Sequence, residues 1–213
     1  MPEPLVIVGC GGHGREVYGI VQAINQAYGD PWKVLGFVDD SPSRTNLQML
    51  DRLGVPFLGP SEALAGFDAG TRYVIGIGDP RVRARVAGVV DRHGLPAARL
   101  IHPDATVGPD TNLGESAILF AGARVTTNVT LGRHVHINQN GTVGHDSVLD
   151  DFVSVNPLAA VSGNCRLGKE VLIGTTAAVL QGLRVGASST VGAGACVVRD
   201  VPAHAVVKGV PAR

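Results

Sequence analysis

Residues 107–149 read VGPDTN LGESAI LFAGAR VTTNVT LGRHVH INQNGT VGHDSV L, with an aliphatic residue opening each block of six. The pattern continues without an inserted residue to Val197. Its sixteen positions are Val107, Leu113, Leu119, Val125, Leu131, Ile137, Val143, Leu149, Val155, Val161, Leu167, Ile173, Val179, Val185, Val191 and Val197. The residue after the aliphatic is often Gly, as at 108, 114, 132, 144, 168, 174, 186 and 192, or else Asn138, Asn156 or Asp150. These types tolerate tight or left-handed corners, so the sequence predicts the left-handed residue of each corner there. Four residues after the aliphatic the side chain is usually small or β-branched, as in Ala117, Ala123, Val129, Ser147, Ala159 and Ala177. Such a hexapeptide period implies a parallel β-helix in which each block supplies one short strand and one corner of a prism. Three sides make a coil of about eighteen residues. At that spacing Val107, Val125, Val143, Val161, Val179 and Val197 form one column, and two Leu- and Ile-rich columns fill the others. Aromatics at only 4% fit an interior built from stacked aliphatics.

Upstream of the repeat the period is lost. Leu5 to Val8 is a strand-length apolar run, followed by Gly9-Cys10-Gly11-Gly12-His13-Gly14 and an amphipathic stretch from Arg15. Strand, glycine loop and helix in that order cradle phosphate, because glycines let backbone N–H groups approach an anion at a helix N-terminus. A second strand, Val34 to Val38, ends in Asp39-Asp40, where a carboxylate can accept from a ribose hydroxyl or a base edge. A third, Tyr73 to Gly78, leads into a helix from Pro80 towards Val90. Together these predict one parallel α/β unit over residues 1–102, ahead of the prism at 103–213. One such half is too short for a dinucleotide, which binds across two, and suits a nucleotide-diphosphate sugar.

Composition narrows the function further. Eighteen basic and eighteen acidic residues give zero net charge, which argues against a protein living on nucleic-acid phosphates. No run approaches the length of a membrane span, and no basic, apolar leader opens the chain, so a cytoplasmic location is expected. Cys10, Cys165 and Cys196 show no paired spacing and read as small buried hydrophobes.

Among seven histidines, His145 stands out. It lies two residues after Val143, an outward position, beside Asp146, with Asn138 in the preceding block and Gly163 one coil later. A carboxylate can orient an imidazole for general-base work, and Gly163 is expected to leave room for a ligand.

The segments Gly9 to Val17, Gly36-Phe37-Val38-Asp39-Asp40, Ile75-Gly76-Ile77-Gly78-Asp79, Gly144-His145-Asp146 and Val207 to Arg213 closely resemble the PglD/NeuD-like sugar acyltransferases. The resemblance covers nearly the whole chain. It implies an α/β half-Rossmann-like domain followed by a left-handed parallel β-helix, assembled as a homotrimer with active sites between subunits. It implies acetyl-coenzyme A as co-substrate, no metal, and an amino sugar carried on a nucleotide as acceptor. Position by position, it implies that Gly12, His13, Gly14, Asp39, Asp40 and Gly78 hold the nucleotide and diphosphate. His145 becomes the catalytic base, Asp146 its acidic neighbour and Asn138 a polar residue near the reacting centre. The coenzyme would run near Gly163, Thr175 and Ala193, and Ser154 stands where bacillosamine-pathway members have a second histidine. N-acetylation at C4 of a 4-amino-4,6-dideoxy sugar is the expected reaction, with O-acetylation of a sialic acid or a non-catalytic nucleotide-sugar scaffold as alternatives. A zinc enzyme of the γ-carbonic anhydrase type needs a histidine five residues before His145, where Asn140 stands.

Overall fold

Leu5, Val6, Ile7 and Val8 are all buried, and an apolar run without alternation belongs in the middle of a parallel sheet covered on both faces. The computed structural model, which describes residues 1–213, places them there. Two compact units divide the chain, Met1–Gly78 with Val82–Pro103, and Asp79–Arg81 with Asp104–Arg213.

In the first unit, β1 (Glu3–Val8), β2 (Trp32–Val38), β3 (Phe57–Gly59) and β4 (Arg72–Ile75) form a parallel sheet of order β3-β2-β1-β4. Helix α1 (Gly12–Tyr28) buries Gly14, Val17, Ile20, Val21 and Ile24, a three-and-four spacing that forms one apolar stripe. It stops at Gly29, whose left-handed φ of 75° lets its N–H return to the carbonyl of Asn25. Helix α2 (Arg44–Leu53) begins where the Ser43 hydroxyl accepts from the Asn46 N–H, and α3 spans Pro80–Val90. Sequence reading missed α2 and β3, whose apolar content is sparse. It also ran the strand at 73–78 too far: β4 ends at Ile75, and the Gly76 N–H then bonds to the Val8 carbonyl.

The second unit is a left-handed parallel β-helix of two-residue strands. Strands pair in register at a spacing of eighteen, with Leu131 on Leu149 and Val143 on Val161. Every aliphatic of the hexapeptide series is buried except Val107, which lies in the first coil with no coil beneath it on its face. Each buried Val or Leu contributes roughly 1.5–3 kcal/mol of transfer free energy.

The corners correct one expectation. The left-handed residue lies three positions after the aliphatic, as Asp110, Ser116, Asn128, His134, Asn140, Asp146, Phe152, Leu158, Asn164, Glu170, Thr176 and Ser188, with glycine at 122, 182 and 194. Left-handed backbone costs a non-glycine residue about 1–2 kcal/mol. From Asn128 onward a coil-to-coil bond offsets it, since these N–H groups reach a carbonyl in the coil before: Asn140 to Ala121, Phe152 to Arg133, Leu158 to Gln139. The glycines directly after the aliphatics are selected by space. A Cβ on Gly144 would lie 2.5 Å from the Gly163 nitrogen, and one on Gly186 would lie 2.3 Å from the Ala203 nitrogen.

No helix is long and apolar enough to cross a membrane.

Candidate active site

In the first unit the glycine loop divides by role. A Cβ on Gly14 would fall 1.8 Å from the Gly9 carbonyl oxygen, and one on Gly76 would fall 2.5 Å from the Gly14 Cα. These residues seat α1 against the ends of β1 and β4. Gly14 is buried in that contact, which gives it a packing role. Gly11 and Gly12 face open space instead, and Gly11 caps α1 with no side-chain hydrogen bond, leaving the helix N–H groups at that end available to an anion.

The cavity has a volume of ≈ 460 Å³ and is lined by Gly12, His13, Asp39, Asp40 and Gly78 from the sequence-predicted set. It also takes in Ser41, Ser61, Val82 and Val86, which sequence reasoning missed. His13 packs on Gly78, whose Cβ would lie 3.6 Å from its Cγ. Burial, and then the charge of Arg83, push its pKa down to about 4, outweighing the half-exposed Glu16 carboxylate 3.4 Å from Nδ1. His13 is therefore neutral at physiological pH. Arg83 is itself fully buried, and its Nη1 donates to the carbonyls of Ile77 and Gly78, fixing the cavity wall. Arg15 donates to the Cys10 carbonyl and to Asn46 Oδ1, tying the loop to α2. Burial and the adjacent Asp39 carboxylate push the Cys10 thiol up to about 12, so it stays protonated and unreactive.

In the second unit His145 occupies a prism edge, half exposed. Its Nδ1 lies 2.6 Å from Asp146 Oδ2, and Asp146 Oδ1 accepts from Asn128 Nδ2 at 2.6 Å. Hydrogen bonds from His145 and then Asn128 hold the Asp146 carboxyl below its ordinary range. An ionised carboxylate only accepts, so His145 Nδ1 carries the hydrogen, and in the neutral ring Nε2 then holds the lone pair. The left-handed backbone of Asp146, with its N–H on the Thr127 carbonyl, aims the carboxylate back at the ring. Beneath, the His145 carbonyl accepts from the Asn164 N–H at 2.6 Å, and the buried Ser147 hydroxyl bonds the Ser162 carbonyl and receives the Cys165 N–H. Sequence marks Ser147 only as a small side chain of the repeat and does not mark Asn128. Asn128 was findable, since it sits one coil of eighteen before Asp146.

Gly163 departs from expectation. A Cβ there would lie 2.5 Å from His145 Nε2 and 2.6 Å from Cε1, so the space it leaves is filled by the imidazole itself. Asn138 does not reach His145 within the chain. It is buried one edge away, with its amide nitrogen donating to the Val155 carbonyl at 3.0 Å and 3.4 Å from Asn156 Oδ1. Thr175 and Ala193 are exposed on Asn138's edge, following the strands at 172–173 and 190–191 that stack in its sheet. Ser154 is fully buried on a flat face, paired with His136 and Leu172. The structure thus joins His145, Asp146 and Gly163 on one edge and places Asn138, Thr175 and Ala193 on another.

Residues 4–90 match the PglD N-terminal domain. Over 148 residues the chain is 30% identical to the GDP-perosamine N-acetyltransferase of Escherichia coli O157:H7, a match that takes in 69% of this chain and 64% of that relative's length. Among solved structures, PerB from Caulobacter crescentus in complex with CoA and GDP-perosamine is 32% identical, with a TM-score of 0.88 over 99% of this chain and 96% of that one. The acetyltransferase domain of PglB from Neisseria gonorrhoeae FA1090 in complex with acetyl coenzyme A is 33% identical, with a TM-score of 0.87 over 100% of this chain and 99% of that one. With a matching N-terminal domain, the same hexapeptide prism and identity above 30% along their whole length, this chain belongs to the PglD/NeuD-like family of sugar acyltransferases.

Proposed function

We propose that the protein transfers the acetyl group of acetyl-coenzyme A to the C4 amine of a nucleotide-linked 4-amino-4,6-dideoxy sugar, with His145 as general base. The observation that carries this reading is the chain of hydrogen bonds from Asn128 through Asp146 to His145, which leaves Nε2 basic on an exposed prism edge. The relatives support the substrates, since PerB is solved with CoA and GDP-perosamine. In the first unit, Gly12, His13 and Gly78 would meet the diphosphate at the α1 N-terminus, with Asp40 on the nucleoside side.

In the reaction His145 Nε2 takes a proton from the sugar amine as its nitrogen attacks the thioester carbonyl, forming the C–N bond. The tetrahedral intermediate then collapses with cleavage of the C–S bond, and the imidazolium returns the proton to the departing thiolate. The products are the acetamido sugar and free coenzyme A thiol. General-base help of this kind is worth roughly 10²–10⁴ in rate.

The working form is a homotrimer. Asn138, Thr175 and Ala193 stand on a different prism edge from His145, so packing that edge of one copy against the His145 edge of the next brings Asn138 and the coenzyme residues Thr175 and Ala193 to the base. This supports an active site between subunits.

The test is release of free thiol from acetyl-coenzyme A in the presence of UDP-, GDP- or dTDP-linked 4-amino-4,6-dideoxy sugars, with sialic acid and CMP-sialic acid as O-acetylation controls. Release with one of the amino sugars is expected. Release with sialic acid alone, or with no acceptor, overturns the reading.

A further inference from the structure

The corner column that carries Asp146 also carries Asn128 one coil before it and Asn164 one coil after, all three in left-handed backbone. Left-handed geometry by itself does not ask for an amide, because Phe152, Leu158 and Glu170 occupy equivalent corners elsewhere in the prism. Position 128 is distinguished by the carboxylate that stands over it. Asn128 Nδ2 lies 2.6 Å from Asp146 Oδ1 while Asp146 Oδ2 lies 2.6 Å from His145 Nδ1, so one carboxylate is gripped at both oxygens. An ionised carboxylate cannot donate, which fixes the Asn128 amide with its nitrogen towards Asp146. The base of this grip is itself held. The Asn128 N–H and Thr127 Oγ1 both donate to the Pro109 carbonyl at 3.1 Å, and the hydroxyls of Thr111 and Thr126 donate to the carbonyls of Thr126 and Val143.

Both members of the His145–Asp146 pair are about half exposed, and an exposed ion pair gains little when each side chain is free to turn towards water. A carboxylate anchored only at Oδ2 would rotate away from the ring, and an imidazole without its acceptor can carry its hydrogen on either nitrogen. Anchoring Oδ1 removes that freedom. We propose that Asn128 is a positioning residue of the acetyl transfer: by holding Asp146 Oδ1 it turns Oδ2 to His145 Nδ1, and so keeps the hydrogen of the neutral ring on Nδ1 and the lone pair on the Nε2 that lies over Gly163. This rests on the transfer reading above and adds to it a residue that acts on the base through Asp146, without itself touching substrate.

Two measurements on the intact protein test this. Nitrogen NMR of isotope-labelled histidine, at a pH where the ring is neutral and with no substrate present, reports which nitrogen of His145 carries the hydrogen, and steady-state turnover reports the consequence. Asn128→Gly removes the amide and relieves the left-handed corner, while Asn128→Asp keeps the corner and the size but sets a second carboxylate against the first. Both should fold as the parent does. In both, the Nε2–H form of His145 should grow at the expense of Nδ1–H, and kcat should fall by about 10-fold with KM for each substrate within about twofold of the parent. Asp110→Gly, in the same column but two coils from Asp146, controls for a loosened edge and should change neither. An unmoved tautomer, an unmoved kcat, or a loss that appears only in KM overturns the proposal and leaves the transfer reading intact. Absence of turnover in the parent overturns the transfer reading instead, and the spectra, taken without substrate, still decide whether Asn128 sets the ring.

Discussion

The two units solve the same problem, placing a few polar groups accurately, by opposite means. The prism repeats one solution every eighteen residues, so His145 inherits its position from a lattice of coil-to-coil backbone bonds. The α/β unit has no repeat, and each contact at its cavity is made once: Gly14 against Gly9, Arg83 on Ile77 and Gly78, Asp39 on Cys10 and Ser41. A repeat tolerates loss of a side chain at one corner because neighbouring coils hold the frame, except where the next coil leaves a glycine no room for a Cβ. A singular contact has no such redundancy.

The largest expected effect separates catalysis from folding. His145→Ala should reduce kcat by roughly 10²–10⁴ while circular dichroism and nucleotide binding stay as in the parent, because the ring is half exposed and the edge is held through backbone. A variant that turned over normally would remove His145 from the mechanism.

Next comes a pH effect confined to the α/β unit. His13 titrates near 4 in the folded chain against an ordinary 6.5, so between those values the unfolded state binds the extra proton. Stability from this group is complete above 6.5 and falls as pH drops towards 4, by on the order of 3 kcal/mol in all. Urea denaturation at pH 7.5, 5.5 and 4.5 should show the decline, and His13→Gln should flatten it. Asp146 acts in a lower window. Its depressed carboxyl stabilises above 3.8, and that contribution is lost as pH falls further.

Gly163→Ala sharpens the contrast between space and chemistry. Its φ suits alanine, but the new methyl would lie 2.5 Å from His145 Nε2. Displacing the imidazole by about 1 Å should lower kcat roughly 10²-fold with little change in melting temperature. A parent-like rate would show that the ring works from another rotamer.

The smallest effect is expected from Asp146→Asn, which loses the charge that supports the imidazolium but retains a polar group beside Nδ1. A fall in kcat of about 10-fold is expected, with circular dichroism and melting temperature as in the parent. A parent-like kcat would argue that Asp146 only packs the corner.

Much of this is legible in the sequence alone. The hexapeptide series located the buried aliphatic columns from Leu113 to Val197, and the glycine run after Leu5 to Val8 announced the helix N-terminus that faces the cavity. Reading failed where one residue type answers several demands. Glycine after each aliphatic looked like a left-handed corner and proved to be a steric requirement of the next coil, while Asp, Phe and Leu carry the left-handed backbone. Gly163 looked like space for a ligand and is the seat of an imidazole. Ser61 and Arg83 gave no signal, since neither belongs to a repeat or a motif.

What the sequence determined by itself is the period. Parallel strands of equal length, stacked in register, place residue i over residue i+18, and an aliphatic at every sixth position can be buried in no other regular way. The roles of chemically identical groups were decided only in three dimensions. Asp39 and Asp40 are adjacent and of one type, and nothing local tells them apart. Asp39 becomes a backbone clamp because Cys10 and Ser41 present their N–H groups to it, and Asp40 keeps an oxygen open because only Ser61 does. A carboxylate accepts whichever donors reach it, and which donors reach it is set by the crossing of strands and loops far apart in the chain.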